Sequence, residues 1–542
     1  MFYAVEIDIY APAIAGATAL PGFMTSPYAA YPDQIIPEAY DTVRASDQGY
    51  RTLPSDTPPT AVYAPVLDEA FSIDRAVDLD PNSSGLSAAW GRIRLANSDG
   101  RFDTIGASRN ADGRAVRIYA GTKAFDATRG LYTHPAYASL IPLFAGLAQP
   151  WFLSETALDI PIRDATYWLD RPLQSAIYGG TGGYDGDANV AGLPKPKTRG
   201  GTSGNPIQNV EPVLIDPTNR IYQYNDAAGT VLSVSEGGLS TNITFDSNTT
   251  NLYSGSTPAG KYRTDNSRGL FQLGSVPVRT ITCDVTGQFP GAGVVTSLAS
   301  IARYLLVEDC AVPSANVYAA SFTDAATAYP YLAGFYFGPT PVSGLQAVGS
   351  VLASAGWKLS PRRSGALGVF VPRDVSADAT VASFNESVIS KCVPVAPPSS
   401  VNPPPLRFRV GYQRNWKPGI PDISPSVTDM NRKAFLATED RFATWLTSDV
   451  SWKRPSDPQP VVGGLLAQAD AQAVANRLGA LWGTRRRVLA VVVPLSVGLP
   501  REIGDVVTVQ WPADDLRAGK LGTIVGEQFR SSDGGITIMV LV

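Results

Sequence analysis

The sequence predicts a mainly β protein with a small α+β insertion, arranged as two β-barrel-like domains separated by inserted domains. Three observations carry that expectation. The 50 glycines and 44 prolines in 542 residues exceed the usual ~12% for the pair, which marks frequent chain reversals between short strands. Charged residues are 17% and hydrophobic ones 44% of the chain, against a usual ~25% charge. Such a chain can fill its cores and still keep broad surfaces that do not all face water. Short stretches near both ends alternate apolar and polar residues with the two-residue period of a strand. A long helical bundle is excluded as the main architecture.

Along the chain, residues 2–10 open with Tyr3, Val5, Ile7 and Ile9 on one side and Ala4, Glu6 and Asp8 on the other, a half-buried strand. From 11 to 65 the text is rich in Pro and Ala (Pro12, Pro21, Pro27, Pro32, Pro37, Pro54, Pro58, Pro59) and without period. Residues 1–65 are therefore read as an N-terminal strand and an extended arm that lies on a neighbouring subunit. Residues 66–175 read as the first β-barrel-like domain, with strands at Arg92–Asn97, Ala115–Ala120, Pro142–Gly146 and Ala157–Asp164. Residues 176–289 are a loop-rich β region. A small α+β domain spans 290–394, with helical stripes Leu298/Ile301/Leu305 and Leu345/Val348/Leu352, then a hairpin of Trp357–Ser360 with Gly365–Val371. A Pro-rich connector occupies 395–405. The second β-barrel-like domain, 406–542, holds one helix at about 466–482 (Val474, Leu478, Leu481, Trp482) and strands at Leu406–Tyr412, Val488–Val493, Asp505–Gln510, Lys520–Gly526 and Ile536–Val542.

Composition also removes function classes. A net charge of -4 is not that of a dedicated nucleic-acid binder. The longest apolar runs are strand-length, far short of the ~20 residues of a membrane helix. Acids stand where a secretory h-region would be, so the N-terminus does not read as a signal peptide. Cys283, Cys310 and Cys392 are scattered, and His134 is the single histidine. One chain then has no usual zinc or iron–sulfur ligand set, and the cysteines read as buried apolar residues in a reducing cytosol. His134, before Pro135, reads as a surface-loop residue, which disfavours histidine-dependent hydrolysis.

Three local features bear on chemistry. The loop Tyr178–Asn189 carries five glycines but neither the Lys-Ser/Thr nor the preceding apolar strand of a phosphate loop. Its Asp185, Asp187 and Asn189 match the first three ligand positions of a calcium loop, yet Val190 replaces the required Gly and Pro196 the final acid. A glycine-permitted path between domains is the simpler reading. The acidic pairs Asp159/Asp164 and Glu308/Asp309, and the acids Asp216 and Asp505, show only turn and surface use. Arg485–Arg487 follow a helix, where cations complement its C-terminus.

Several stretches resemble the baseplate-hub or tail-tip structural proteins of long-tailed bacteriophages and gene transfer agents. They are Trp90–Asp103, Leu169–Gln174, Tyr178–Gly186, Lys195–Lys197 with Asn205, Gly269–Gly274, Ile281–Gly287, Arg409–Trp416 and Gly504–Val507. The likeness covers 66–542 and rests on the order of short motifs. It implies a non-enzymatic homo-oligomer, a trimer whose two hub barrels recur around the tail axis, facing a sixfold tail tube. The implied partners are the distal tail protein or tail tube, the central fibre or receptor-binding proteins, and the tape measure protein, with phage DNA only in transit. The implied location is the virion tail tip, assembled in the host cytoplasm. The iron–sulfur cluster and the Cys/His peptidase of some tail-tip proteins do not transfer, because the residues are lacking. No cofactor and no catalytic residue is expected. The competing expectation is a β-rich polysaccharide hydrolase, which needs an acidic pair ~5–9 Å apart in a cleft. A receptor-binding module would instead need an exposed aromatic tip.

Overall fold

The computed structural model describes residues 1–11, 14–15, 35–36, 39–68, 72–83, 90–447, 458–530 and 534–542. The protein is mainly β, with 38% strand and 17% helix, and its large sheet curls into half-barrels. That sheet has sixteen strands. From one edge it runs Lys391–Val395, Val488–Pro494, Gly535–Leu541 and Lys520–Arg530, all from the C-terminal third. It continues through Ser72–Ala76, Trp90–Ala96, Ala157–Arg163, Ile141–Ala148, Ala115–Gly121 and Phe2–Ala11 to Ala39–Ser46, Val62–Pro65 and Tyr50–Arg51.

The seam between the halves is the antiparallel pairing of Ser72–Ala76 with Lys520–Arg530, in which Ile73 faces Phe529 and Arg75 faces Glu527. One core spans both halves. Val5, Ile7, Ile93, Leu95, Val116, Ile118, Ile160 and Ile162 pack with Val491, Val507, Ile524, Phe529, Ile536 and Ile538 in a single cluster. Period-two alternation supplies these side chains from each strand, and burying one of them fully contributes about 1.5–3 kcal/mol.

The opening strand departs from its expected half-buried state. Its other face is covered as well: Phe2 and Ala4 pack with Tyr50, Tyr63 and Leu140, and Glu6 is buried. What covers it corrects the reading of 11–65 as one extended arm. Ala39–Ser46 pairs with the opening strand in register from Ala4↔Ser46 to Ala11↔Ala39, and Tyr50–Arg51 and Val62–Pro65 extend the edge. Val43 and Ala45 alternate toward the core, a pattern too short to stand out beside so many prolines. Residues 12–13, 16–34 and 37–38, with Pro12, Pro21, Pro27, Pro32 and Pro37, lie outside the described residues.

The inserted region forms two five-stranded sheets of its own. In one, Ile281–Gly287 pairs with Gly229–Glu236 and with Ile207–Val210. In the other, Leu270–Leu273 lies between Ile221–Gln223 and Lys261–Asp265. Tyr222 stacks on Phe271 with ring centroids 5.2 Å apart, inside a core that also holds Tyr224, Val234 and Cys283.

Both helical stripes of the α+β segment form helices, Leu298–Tyr304 and Gly344–Ala353, and the hairpin pairs Lys358–Pro361 with Leu367–Phe370. The helix Gln468–Trp482 packs into the same core as these elements. Two further strands that begin within the span 290–394 belong to the large sheet: Ala382–Phe384 pairs with Val506–Val509, and Lys391–Val395 with Val488–Pro494. The proline run that follows is anchored, since Val401 is buried in the helical core.

Candidate functional site

The Tyr178–Asn189 loop uses its polar groups on itself. Asp185 accepts from the Gly179 N–H at 3.2 Å and from Thr181 Oγ1 at 3.0 Å, and pairs with Lys195 at 3.6 Å. Those bonds, the Gly179 N–H first, hold its carboxyl below the ordinary range. Asp187 accepts from the N–H and the side-chain amide of Asn189. Gly180, Gly182, Gly183 and Gly186 all have positive φ, the backbone path glycine permits. Among the described residues no group of three or more His, Cys, Asp or Glu is placed to hold a metal ion.

The other candidate acids, the exposed Glu308 apart, have partners as well. Asp159 lies 3.7 Å from Arg92, and Asp164 caps the helical turn Ala165–Asp170 by accepting from the Thr166 N–H. Asp309 is buried while Glu308 is exposed. Asp216 accepts twice from Asn219, and Asp505 accepts from the Glu502 N–H, both turn roles. Arg486 donates to the Leu481 carbonyl at 2.8 Å and pairs with Asp374, as a cation at a helix C-terminus does. His134 sits in a loop with its ring 5.6 Å from Tyr50. The three cysteines are free, and burial, followed by the neighbouring Asp309, pushes the Cys310 thiol up to about 12.

The structure concentrates its buried charge at three junctions instead. At the seam, Arg75 Nε donates to Glu527 Oε1 at 2.7 Å and Nη2 to Glu502 at 3.1 Å. Arg363, from the hairpin of the α+β segment, reaches the same Glu527 carboxylate and the Arg501 carbonyl. Burial alone would raise the Glu527 carboxyl, but Arg75 and Arg363 hold it below its ordinary value. A second cluster joins the inserted region to the helical core: Lys197 bridges Asp226 and Asp309 at 2.7 Å each, and Arg199 bonds both acids at 2.9 Å. In the third, Glu6 accepts from Tyr63, from Tyr137 at 3.2 Å and from Arg117 at 2.9 Å.

Each junction ties segments far apart in sequence, and each acid is saturated by cations or hydroxyls. Such a site holds the segments it joins in a fixed relation. Sequence reasoning missed these junctions because isolated Arg, Lys, Asp and Glu residues carry no local pattern.

Apolar surface is exposed on the hairpin Ala124–Asp126/Leu131–Thr133, where Phe125 and Tyr132 pack edge to face at 5.3 Å. Phe125, Leu131 and Tyr132 are 58%, 64% and 66% exposed, a concentration more typical of a contact surface than of a monomer's exterior.

No protein-family model matches the sequence, and no curated protein matches it. The solved structures to which the chain is similar include tail proteins. One is a tail protein from Neisseria meningitidis MC58, at 10% identity and TM-score 0.36, with 89% of this chain and 93% of that one covered. Another is the 43 kDa tail protein of prophage MuSo2 from Shewanella oneidensis, at 10% identity and TM-score 0.32, with 89% and 95% covered. A third is a chain of the virion of a native gene transfer agent particle, at 13% identity and TM-score 0.35, with 65% and 84% covered.

Proposed function

We propose that the protein is a structural subunit of a phage-type tail tip: a baseplate hub that forms a ring, a trimer, joining the tail tube or distal tail protein to the central fibre or receptor-binding apparatus. The observation that carries this reading is the seam. Two half-barrel sheets, from opposite ends of the chain, share one sheet and one core. The inserted segments are pinned to this frame by buried ion networks. A trimer of such twin units would present six similar β-surfaces to a sixfold partner. The role is mechanical and non-enzymatic, with DNA passing through the ring. The exposed apolar hairpin and the low share of charged residues supply the contacts.

The test is the mass and shape of the full chain in solution. A ring with a central channel, seen by mass photometry and negative-stain imaging, is the expected result. A monodisperse monomer that cleaves a bacterial glycan would overturn the reading in favour of a hydrolase.

A further inference from the structure

The opening strand, Phe2–Ala11, has a small two-stranded sheet beyond each of its ends. Past Ala11, Ile14–Ala15 pairs with Ile35–Ile36 and with no third strand. Its register is that of the longer pairing before it: Ala11↔Ala39 is followed by Ile14↔Ile36 and Ala15↔Ile35. The support of the large sheet stops earlier, since the last described pairing on the other side of the opening strand is the bridge Tyr10↔Asn110. At the opposite end Phe2 faces Gly121. The hairpin Ala124–Asp126/Leu131–Thr133 follows directly, again with no third strand.

Both ribbons lack what secures such a piece in water. Two strands alone are marginal, and a third strand or an apolar cover is needed to hold them. Neither brings much charge to keep it solvated. Residues 11–36 contain one charged residue, Asp33, where an average stretch of that length holds about six. In the hairpin, Asp126 and Arg129 stand 3.7 Å apart and offset each other, which leaves Phe125, Leu131 and Tyr132 exposed. The two ribbons cannot meet within one chain. The ten-residue strand between them is about 30 Å long, beyond the reach of hairpin arms of three residues.

We infer that the ribbon Ile14–Ala15/Ile35–Ile36 of one copy docks on the hairpin Ala124–Asp126/Leu131–Thr133 of a second copy of this chain. The open strand edges meet, and two marginal ribbons become one four-stranded sheet. Main-chain hydrogen bonds along such edges supply affinity, and the uncharged residues of both sides leave water together. The joint links opposite ends of identical chains, so it is head-to-tail, the type of contact that closes into a ring. This inference rests on the self-assembly proposed above and names the surfaces that perform it.

Sedimentation velocity of the full chain tests it, on the parent, Ile35→Lys, Leu131→Glu and the double variant. Each single substitution sets a charge into an uncharged joint and should weaken association about tenfold or more, a loss of ~1.4 kcal/mol. The double variant brings opposite charges together at every joint, within the ~8 Å over which they act at physiological salt, and should recover most of that loss. Recovery separates a broken contact from a broken fold, because a second surface charge does not rescue a chain that fails to fold. Single variants that associate as the parent does, or a double variant no better than the singles, would overturn the docking and leave the ring reading standing. A parent that stays monomeric at every concentration would overturn both.

Discussion

Arg75 and Glu527, 452 positions apart in the chain, are cross-strand partners whose side chains meet at 2.7 Å in the interior of the sheet. Arg363 closes on the same carboxylate from a third segment. The pair is a cross-link between the two ends of the chain, placed where water cannot weaken it. Removing its anion would leave the buried Arg363 guanidinium without a carboxylate and Arg75 with Glu502 alone.

Glu527→Ala should therefore destabilise the fold by about 3–5 kcal/mol, the cost of breaking a buried ion network at one member. Urea unfolding of the full chain measures this. A loss below 1 kcal/mol would mean that the cations find other acceptors.

The same carboxyl predicts an acid limb. Its folded-state value is depressed from the ordinary 4.5, so its contribution is complete above that pH and is lost as pH falls through the lower folded value. Glu527→Gln should flatten stability against pH below 4.5 relative to the parent. Parallel slopes for the two proteins in that range would refute the assignment.

Lys358 predicts the opposite limb. Burial lowers its ammonium to about 8, with Asp78 and Asp80 opposing, while Nζ donates to the Asp80 and Ser83 carbonyls. A depressed lysine charges in the folded state only below its folded value, so stability should rise between pH 8 and the unfolded value of 10.5. Thermal denaturation across that window checks it, and Lys358→Met should abolish the rise.

Gly479→Ala sets two effects against each other. Replacing a helical glycine gains about 1 kcal/mol in propensity. A Cβ at this position, however, would stand 2.2 Å from the Trp445 ring, and overpacking of that kind costs typically 1–3 kcal/mol. Net destabilisation is expected, with Trp445 fluorescence shifted. A stabilised variant would show that the ring can move aside.

If the ring reading holds, Phe125→Ser with Tyr132→Ser should lower the assembled fraction while leaving monomer stability within about 0.5 kcal/mol, as for surface substitutions. Sedimentation velocity resolves the two forms, and an unchanged assembled fraction would remove the hairpin from the interface.

Much of the architecture was legible where a periodic stripe was strong. Leu298, Ile301 and Leu305 gave a helix, Val474, Leu478 and Leu481 another, and Leu158, Ile160 and Ile162 a strand. The helix Ala319–Ala328 was not read, because only Phe322 and Ala325 are buried and its Ala and Thr residues make a faint stripe. The strand Gly334–Phe337 is buried on both faces, so it shows no alternation. Charged junctions were the least legible part. Arg199 finds Asp309 at a separation of 110 residues and Arg75 finds Glu527 at 452, distances over which no local propensity carries information. The glycine loop showed the reverse: its ligand-like spacing was visible, while the spending of Asp185 on Gly179 and Thr181 was not.

The seam also sets the order of events on the ribosome. Ser72–Ala76 has to wait for Lys520–Arg530 to be made, and at roughly 5–20 residues per second the delay is on the order of 20–90 s. Throughout that interval the N-terminal half carries an unpaired strand edge and half of a core, the kind of surface that chaperones recognise and that pairs with stray chains. A nascent chain that stops early cannot complete the sheet. Only a chain extended through Gly535–Leu541 acquires the finished block, so translation itself screens the copies that become available for assembly.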